Sequence, residues 1–518
     1  MDYNLVYKIL KSEIKSGVNF KENFIFYKKD DSIKATYNSC QHHGGRFVCD
    51  DDCIVRCIRH NWKLNVSKME YSSPVGVKQD EVMIKENEDF YEIYDKSIPT
   101  WCEVPTKKSL ERNEATIKYY SHACAEFTFG DKRIFTDPWL EGPCFLSGWW
   151  LENEPPLDWL EKLSSCDVIY ISHAHSDHLH EETLRILKNK NPNVKIIIPN
   201  FSSCLSLLKN IGFLNIEVMD FQEWYVIDND LKVMILKDLS SEDSGLLIDY
   251  KGYRILNTVD CSNKLNGGIY PEVDCLLSGY ATVSTGYPTC WGDNYGDDGI
   301  HKRVMKVHQS TKKEVIDHIN NCNPKLYILW AASAYIGHPR DKYIKDRNIP
   351  LSSETLTGIL NRKFKDLKLW NPKPGDVYDL STYELVEEGK EKSIDIDYDY
   401  YSDKYKNNLE LTLTDIKKYF KNSGYESDLI LHICETNEDF TLTDREFIYD
   451  FTNQDFIDKR PNREHRYLKM KVRKEIFKYV LHNYLPWEEI SIGFQGRFYR
   501  EPDIYNRDFW EHFQKEMY

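Results

Sequence analysis

Residues 166–178 read CDVIYISHAHSDH, and this stretch decides how the chain folds. Its first half is a short apolar run that predicts a buried strand. Its second half places His173, His175, Asp177 and His178 within six residues, which are the ligand types that a hydrolytic or redox metal site needs. Metal ligands at the end of a buried strand are typical of a site built on a rigid scaffold.

Strand and helix patterns alternate on both sides of this motif. Upstream, IKYYSHACAEFTFGDKRIFTDP predicts two strands around the turn pair Gly130-Asp131. Downstream, EETLRILKN predicts a short amphipathic helix and VKIIIP a strand. A further hairpin, GLLIDYKGYRILNTVD, ends at Asp260. These patterns predict a mixed α/β catalytic domain.

A second metal motif lies near the N-terminus. Cys40 and His42 form a Cys-x-His pair, and Cys57 and His60 form a Cys-x-x-His pair, with fourteen residues between the two pairs. Two thiolates and two imidazoles are the ligands of a Rieske [2Fe–2S] cluster, and the segment resembles the Rieske domains of oxygenases. A zinc knuckle is the alternative for the same residue types. Trp62 follows shortly after the second pair, as in such domains.

Three regions differ in pattern, and together they predict a multidomain α+β protein. Residues 1–105 carry short β-type runs broken by turn residues, which indicates an all-β Rieske domain. Residues 106–375 form the catalytic domain, and residues 376–518 mix strands and helices in a C-terminal α+β domain. A length of 518 residues suits two to four domains.

Composition excludes several classes of protein. Hydrophobic residues make up 41% and charged residues 29%, as in globular proteins, and no apolar run reaches the roughly 18 residues of a membrane span. A net charge of −15 argues against non-specific nucleic-acid binding but permits a local basic pocket for an anionic small molecule. Because no secretory signal is visible and the 14 cysteines are spread over a long chain, we expect a cytoplasmic protein with reduced thiols.

The central region resembles the metallo-β-lactamase superfamily, in the branch with Ser121-His122-Ala123 and Thr136-Asp137-Pro138 upstream of the histidine motif. The resemblance implies an αββα domain in which Asp260 acts with Asp177 and His178 at the metal. Asp137 could orient a ligand histidine or merely cap a turn, and His122 could also orient a ligand. Two-metal hydrolases of this superfamily carry one more histidine before the later aspartate, but residues 201–300 contain none. Asp238, Glu242 or Asp243 could replace it, and we expect His338 to complete the set. The exchange of imidazole for carboxylate favours non-haem iron, with zinc as the alternative.

A Rieske domain followed by a metallo-β-lactamase-like domain resembles the CMP-N-acetylneuraminate monooxygenase family. The likeness extends to STGYPTCWGDNY at 284–295, to HPRDKYIKD at 338–346 and to the aromatic C-terminal segment. It implies hydroxylation of the N-acetyl group of CMP-N-acetylneuraminate, or of a related anionic substrate, by O2 and electrons passed from the cluster to the iron. Tyr287, Trp291, Arg303 and Arg340 are the expected substrate-binding residues.

The family also implies an external electron donor, either a b-type cytochrome or a ferredoxin with an NAD(P)H-dependent reductase. A homo-oligomer would be needed if the two centres were far apart within one chain. The competing hypothesis is a metallo-β-lactamase-type hydrolase, such as a phosphodiesterase or lactonase, whose Rieske cluster has a structural or redox-sensing role.

Overall fold

A computed structural model of the chain describes residues 3–40, 46–58, 61–73, 75–96, 100–239, 241–262, 265–280, 283–406 and 410–514. The predicted sequence of regions is confirmed: an all-β N-terminal region, a central metallo-β-lactamase-like domain and a mixed C-terminal region. The described helices include none with the length and hydrophobicity that a membrane span needs.

The N-terminal region contains three antiparallel sheets, ordered β1-β11-β10, β2-β3-β4 and β5-β6-β7-β8-β9. Cys57 ends β6, and Cys40 follows β4. The strands are β1 (Tyr3–Leu10), β2 (Gly17–Lys21), β3 (Phe24–Lys29), β4 (Ser32–Tyr37), β5 (Phe47–Cys49), β6 (Ile54–Cys57), β7 (Lys63–Asn65), β8 (Glu70–Ser73), β9 (Val75–Lys78), β10 (Met83–Glu86) and β11 (Phe90–Lys96).

The central domain packs two large sheets face to face. The first half of its elements, in chain order, is β12 (Ala115–Ser121), β13 (Cys124–Phe129), β14 (Lys132–Thr136), β15 (Trp150–Leu151), α1 (Trp159–Ser164), β16 (Val168–Tyr170), α2 (Glu181–Lys190), β17 (Ile196–Pro199), α3 (Ser202–Ile211), β18 (Ile216–Met219), β19 (Trp224–Asp228) and β20 (Leu231–Lys237). The second half is β21 (Ser244–Tyr250), β22 (Tyr253–Asn257), β23 (Cys275–Gly279), α4 (Gly292–Cys322), β24 (Leu326–Trp330), β25 (Ala334–Tyr335), α5 (Lys342–Arg347), α6 (Ser353–Lys363), β26 (Lys368–Trp370), β27 (Val377–Asp379) and β28 (Glu384–Glu387).

One sheet has the order β18-β17-β16-β14-β13-β12-β27-β28 and the other β19-β20-β21-β22-β23-β24-β26. Apolar side chains of both, such as Phe127 and Ile248, form the core between them. Helices α2 and α3 cover the outer face of the first sheet, and α4 and α6 cover the second. This is the αββα arrangement that the sequence resemblance implied. The first sheet continues past residue 375, because β27 pairs with β12 and β28 with β27.

The C-terminal region adds a five-stranded sheet of order β31-β30-β29-β32-β33, packed on helices through a large aromatic core. Its elements are α7 (Tyr398–Asp403), α8 (Leu413–Ser423), β29 (Leu429–Thr436), β30 (Leu442–Asp450), β31 (Asp455–Ile457), β32 (Arg466–Arg473), α9 (Lys474–His482), α10 (Glu488–Ser491), β33 (Gly496–Glu501) and α11 (Arg507–Phe513).

The three regions contact one another closely. The C-terminal region docks on the loop before β15, where a Cβ on Gly148 would lie only 2.2 Å from the Gly493 carbonyl oxygen. The N-terminal region docks on α4, where Arg46 pairs with Asp317 at 2.7 Å. Trp62, which follows the Cys57 loop, packs near Tyr505 of the C-terminal region. These contacts bring the strand end at Cys57, helix α4 and the C-terminal region together around one cavity.

Candidate metal centre and cavity

The histidine motif lies at one edge of the two central sheets. Strands β14 and β16 are parallel neighbours, so Asp137 and the motif from His173 onwards emerge together at their carboxyl ends. Asp260 follows β22 of the other sheet, and Asp243 precedes β21, which runs antiparallel to β22. The backbone before Asp260 is strained, because the β-branched Val259 has a φ of +50°.

These side chains form three overlapping groups, and the ligand atoms within each group lie within 4.8 Å of one another. The groups are His122 with Asp177 and His178, His173 with His178 and Asp260, and His173 with His175 and Asp243. The overlap provides ligand sets for two adjacent cations. Of the three carboxylates that could replace the missing histidine, the geometry brings Asp243 into the cluster.

One buried carboxylate orients two of the histidines. Asp137 accepts hydrogen bonds from the Ser172 backbone N–H at 2.7 Å and from the Ser172 hydroxyl at 2.9 Å. The Ser172 oxygen is then free to accept from His173 Nδ1 at 2.9 Å. His178 Nδ1 also lies 3.1 Å from Asp137 Oδ2. Both histidines therefore carry a proton on Nδ1 and turn Nε2 towards the cluster.

The third histidine is oriented by a residue that is distant in sequence. Glu488, at the start of α10, lies 3.2 Å from His175 Nε2. Burial opposes protonation of His175, but Glu488 raises its pKa to about 10, so without a metal Nδ1 also carries a proton and donates it to His173 Nε2 at 2.8 Å. A cation bound between the two rings would displace this proton, because a coordinating imidazole nitrogen is unprotonated. The donor set thus fits a metal ion.

Burial and charge agree with metal binding. Asp177 Oδ1 and His178 Nε2 are buried without a hydrogen-bond partner, which is costly unless a further group satisfies them. Burial opposes ionisation of Asp260, but the neighbouring His178 lowers the pKa of Asp260 to about 2. Burial, together with the neighbouring His178 and His175, lowers the pKa of His173 to about 3. Burial has the same effect on His178, but Asp177 and Asp260 raise its pKa, so a metal that binds there displaces a proton.

His338 does not join this cluster. Its Nε2 bonds with the Ser402 hydroxyl at 2.9 Å, and its Nδ1 accepts from the Arg340 backbone N–H at 3.2 Å. Both ring nitrogens are thereby occupied. The position of His338 in the loop after the strand KLYILWAAS predicts a ligand at a strand end, but no local pattern indicates these partners.

The two cysteines of the N-terminal motif are described, whereas the predicted ligands His42 and His60 lie outside the described residues. Cys40 and Cys57 are fully buried cysteines in one apolar cluster with Trp62. The Tyr71 hydroxyl lies 3.5 Å from Cys40 Sγ. Two thiols in a dry pocket are donors that suit an iron–sulfur cluster.

A cavity of about 290 Å³ extends from the histidine cluster to the Cys57 loop. At one end it is lined by His175, Asp177, Asp243 and Asp260, and at the other by Arg56, Ile58 and Asn61 of the N-terminal region together with Arg303, Lys306 and Arg500. Aromatic side chains lie between them. Described residues on either side of Cys57 and the candidate metal centre therefore border the same space within one chain.

Three of the four predicted substrate-binding residues, Tyr287, Trp291 and Arg303, line this cavity. Trp291 is only 2% exposed, because Arg500 covers it at 4.4 Å and Phe498 packs against it at 5.2 Å, so it serves as a wall.

Arg340 lies elsewhere, where its buried side chain pairs with Glu438 at 2.6 Å. Sequence reasoning missed Arg56 and Glu488, which reach the cavity from the flanking domains and carry no local signature.

Comparison with known proteins identifies the family. A family model described as a beta-lactamase superfamily domain matches residues 116–255. The cytidine monophosphate-N-acetylneuraminic acid hydroxylase of Mus musculus is 36% identical, with coverage of 98% of this chain and 94% of that protein. The hydroxylase of the same name from Danio rerio is 34% identical, with coverage of 97% and 92%. Among solved structures, the diiron beta-hydroxylase CmlA of Streptomyces venezuelae is 15% identical with a TM-score of 0.35, covering 51% of this chain and 54% of that one. The resemblance found in the sequence is confirmed: the chain is an oxidoreductase that belongs to the cytidine monophosphate-N-acetylneuraminic acid hydroxylase family.

Proposed function

We propose that this enzyme hydroxylates the N-acetyl group of CMP-N-acetylneuraminate, using O2 and electrons that pass from a Rieske [2Fe–2S] cluster to a non-haem iron. The observation that carries the proposal is the shared cavity, bordered by Ile58 and Asn61 at one end and by His175 and Asp260 at the other. A hydrolase has no use for an electron carrier that opens onto its substrate site. The name printed for the relatives supplies the substrate.

The chemistry balances with an external reductant. One oxygen atom of O2 enters a C–H bond of the N-acetyl methyl group, and the other leaves as water after two electrons and two protons are consumed. When bound, the cluster would supply the electrons singly and the iron would activate O2. A b-type cytochrome or a ferredoxin is the donor class that we propose for the cluster.

The protein itself holds the ligands and positions the substrate. His173, His175 and His178, with Asp177, Asp243 and Asp260, would hold the iron, while Cys40 and Cys57 would hold one iron of the cluster. Asp137 and Glu488 hold the imidazoles in position for a metal through their hydrogen bonds. The aromatic walls of the cavity exclude water from the reacting carbon.

The experiment is turnover of CMP-N-acetylneuraminate by anaerobically purified, reductant-supplied enzyme exposed to O2, followed by mass spectrometry. We expect a product heavier by one oxygen atom. Acid-labile sulfide should be present, with iron in excess of the cluster. Cys40→Ser should remove the sulfide, and His175→Ala should remove only the additional iron. The exposed Cys49, changed to Ser, is the matched control for Cys40. Zinc in the second site, with hydrolysis of phosphodiesters without reductant, would contradict the proposal.

A further inference from the structure

The end of the cavity remote from the histidine cluster carries uncompensated positive charge. Arg56, at the end of β6, lines it from the N-terminal region, and Arg303 and Lys306 line it from α4. This concentration of cations stands out in a chain whose net charge is −15. A local basic site on an acidic protein indicates an anionic ligand.

The neighbouring carboxylates are too few to neutralise these cations. Asp50 lies 3.3 Å from Arg56 and 3.2 Å from Lys63, so one carboxylate serves two cations. At the other wall, Asp503 lies 3.5 Å from Arg303 and 2.8 Å from Arg500. Glu314 also lines the cavity, so five cations, Lys306 included, face three carboxylates, and about two positive charges remain in excess.

Lys306 is the least compensated of these cations. No carboxylate in the described part of the chain pairs with it, and the charges that act on it are those of Arg56, Arg303 and Lys302. Burial and these cations together lower the pKa of Lys306. A bound anion would remove this repulsion, and charge-assisted hydrogen bonds from Arg and Lys are the strongest that a phosphate or carboxylate accepts.

The direction of α4 sets the position of this site relative to the metal centre. His318, on the cavity-lining face of the same helix, bonds to Ser278 next to Gly279, where a Cβ would lie 3.4 Å from Asp260 Oδ1. From Lys306 to His318 the helix rises about 18 Å. The cavity is thus long, with its cations at one end and the ligand carboxylates at the other. A ligand with anionic groups at one end would enter in one orientation.

We propose that Arg56, Arg303 and Lys306 form a cationic clamp, contributed by two domains, that binds the phosphate of the nucleotide-sugar substrate and fixes the Cys57 loop against α4. This proposal rests on the proposed function for the identity of the ligand. Arg56 would thus contact the phosphate of the substrate, and it directly precedes Cys57, a predicted ligand of the cluster.

The clamp is tested by binding rather than by turnover. Calorimetric titration of the full, oxidised enzyme with CMP, without reductant, should give a Kd that rises by about 10- to 100-fold in Arg56→Gln and in Lys306→Gln, the loss expected for one charge-assisted contact. Cytidine, which has no phosphate, should bind the variants and the parent enzyme equally. Lys34→Gln is the matched control for Arg56, because Lys34 belongs to the same N-terminal region, pairs with Glu81 and does not line the cavity. Lys342→Gln, on an exposed side chain of α5, is the control for Lys306.

The bridging role has a separate readout. Hydrogen–deuterium exchange in residues 46–58 should slow when CMP binds the parent enzyme and should not slow in Lys306→Gln, although Lys306 belongs to another domain. Unchanged CMP affinity in Lys306→Gln, or slowed exchange in that variant, overturns the clamp. Because Lys306→Gln alters an exposed helix residue, it remains informative if Arg56→Gln fails to fold. CMP binding that depends on Lys306 without any hydroxylation would sink the proposed function and leave the clamp standing.

Discussion

Replacement of Glu488 by alanine should weaken metal binding although Glu488 belongs to the C-terminal region. The change removes the acceptor for His175 Nε2, so the ring is no longer held with Nδ1 turned towards His173. Loss of such an outer partner reduces metal affinity about 10- to 100-fold, or roughly 1.4–2.7 kcal/mol. The His175 and Glu488 side chains are 30% and 21% exposed, so water can partly replace the carboxylate. We therefore expect a loss near tenfold.

The assay is competition between the cluster-containing enzyme and a chelator for Fe2+ under anaerobic conditions. Glu488→Gln keeps an acceptor but no charge and should fall between the alanine variant and the parent. Gln514→Ala is the control, because Gln514 donates to the other oxygen of Glu488 and its removal leaves the contact with His175 intact. An iron affinity of Glu488→Ala within about twofold of the parent would refute the orienting role. A loss above about a thousandfold would mean that Glu488 is itself a ligand.

Three further predictions follow from buried contacts. Asp137→Asn should weaken iron binding about 100-fold, which is more than Glu488→Ala, because Asp137 and His178 are fully buried and water cannot replace the lost charge. The same chelator competition measures the iron affinity, and equal losses of affinity in the two variants would contradict the role of burial. Arg473→Met should destabilise the fold by about 3–5 kcal/mol in urea unfolding, since it leaves the fully buried Asp341 without its partner at 2.6 Å, and Arg473→Met combined with Asp341→Leu should recover most of the loss. Gly148→Ala should lower the free energy of unfolding by about 1–3 kcal/mol, because the added methyl group collides with the Gly493 carbonyl. The C-terminal region should then be bound less tightly, which faster proteolysis after residue 390 would detect. An unchanged rate of proteolysis would show that this contact does not hold the region in place.

The parts of the site that follow single strands were predictable from the sequence. The motif from His173 to His178, Asp260 and Asp137 each end a strand with a clear apolar pattern, and strand ends at one sheet edge meet. The rest depends on long-range packing. Asp243 was one of three nearby carboxylates, and only the antiparallel pairing of β21 with β22 selects it.

Local pattern carries no information about which distant loop reaches the site. Glu488 is an ordinary acidic residue in a first helical turn, and it acquires a role only because α10 docks on the central domain. Arg56 is similar, since the segment IVRC contains no pattern that predicts a residue lining a cavity. His338 is the opposite case: it follows an apolar strand, as the motif histidines do, but its imidazole is bound by Ser402 and does not reach the cluster.

The position of Glu488 late in the chain has a consequence for biosynthesis. All the proposed iron ligands of the central domain precede residue 261, so they leave the ribosome long before α10 is made. At about 5–20 residues per second, the interval from Asp260 to Glu488 lasts roughly 10–45 seconds. During that time His175 of the nascent chain lacks the Glu488 carboxylate that orients its ring. A metal bound at this stage would be held by an incompletely oriented set of ligands. We therefore expect stable metal binding only after α10 has been synthesised and has docked.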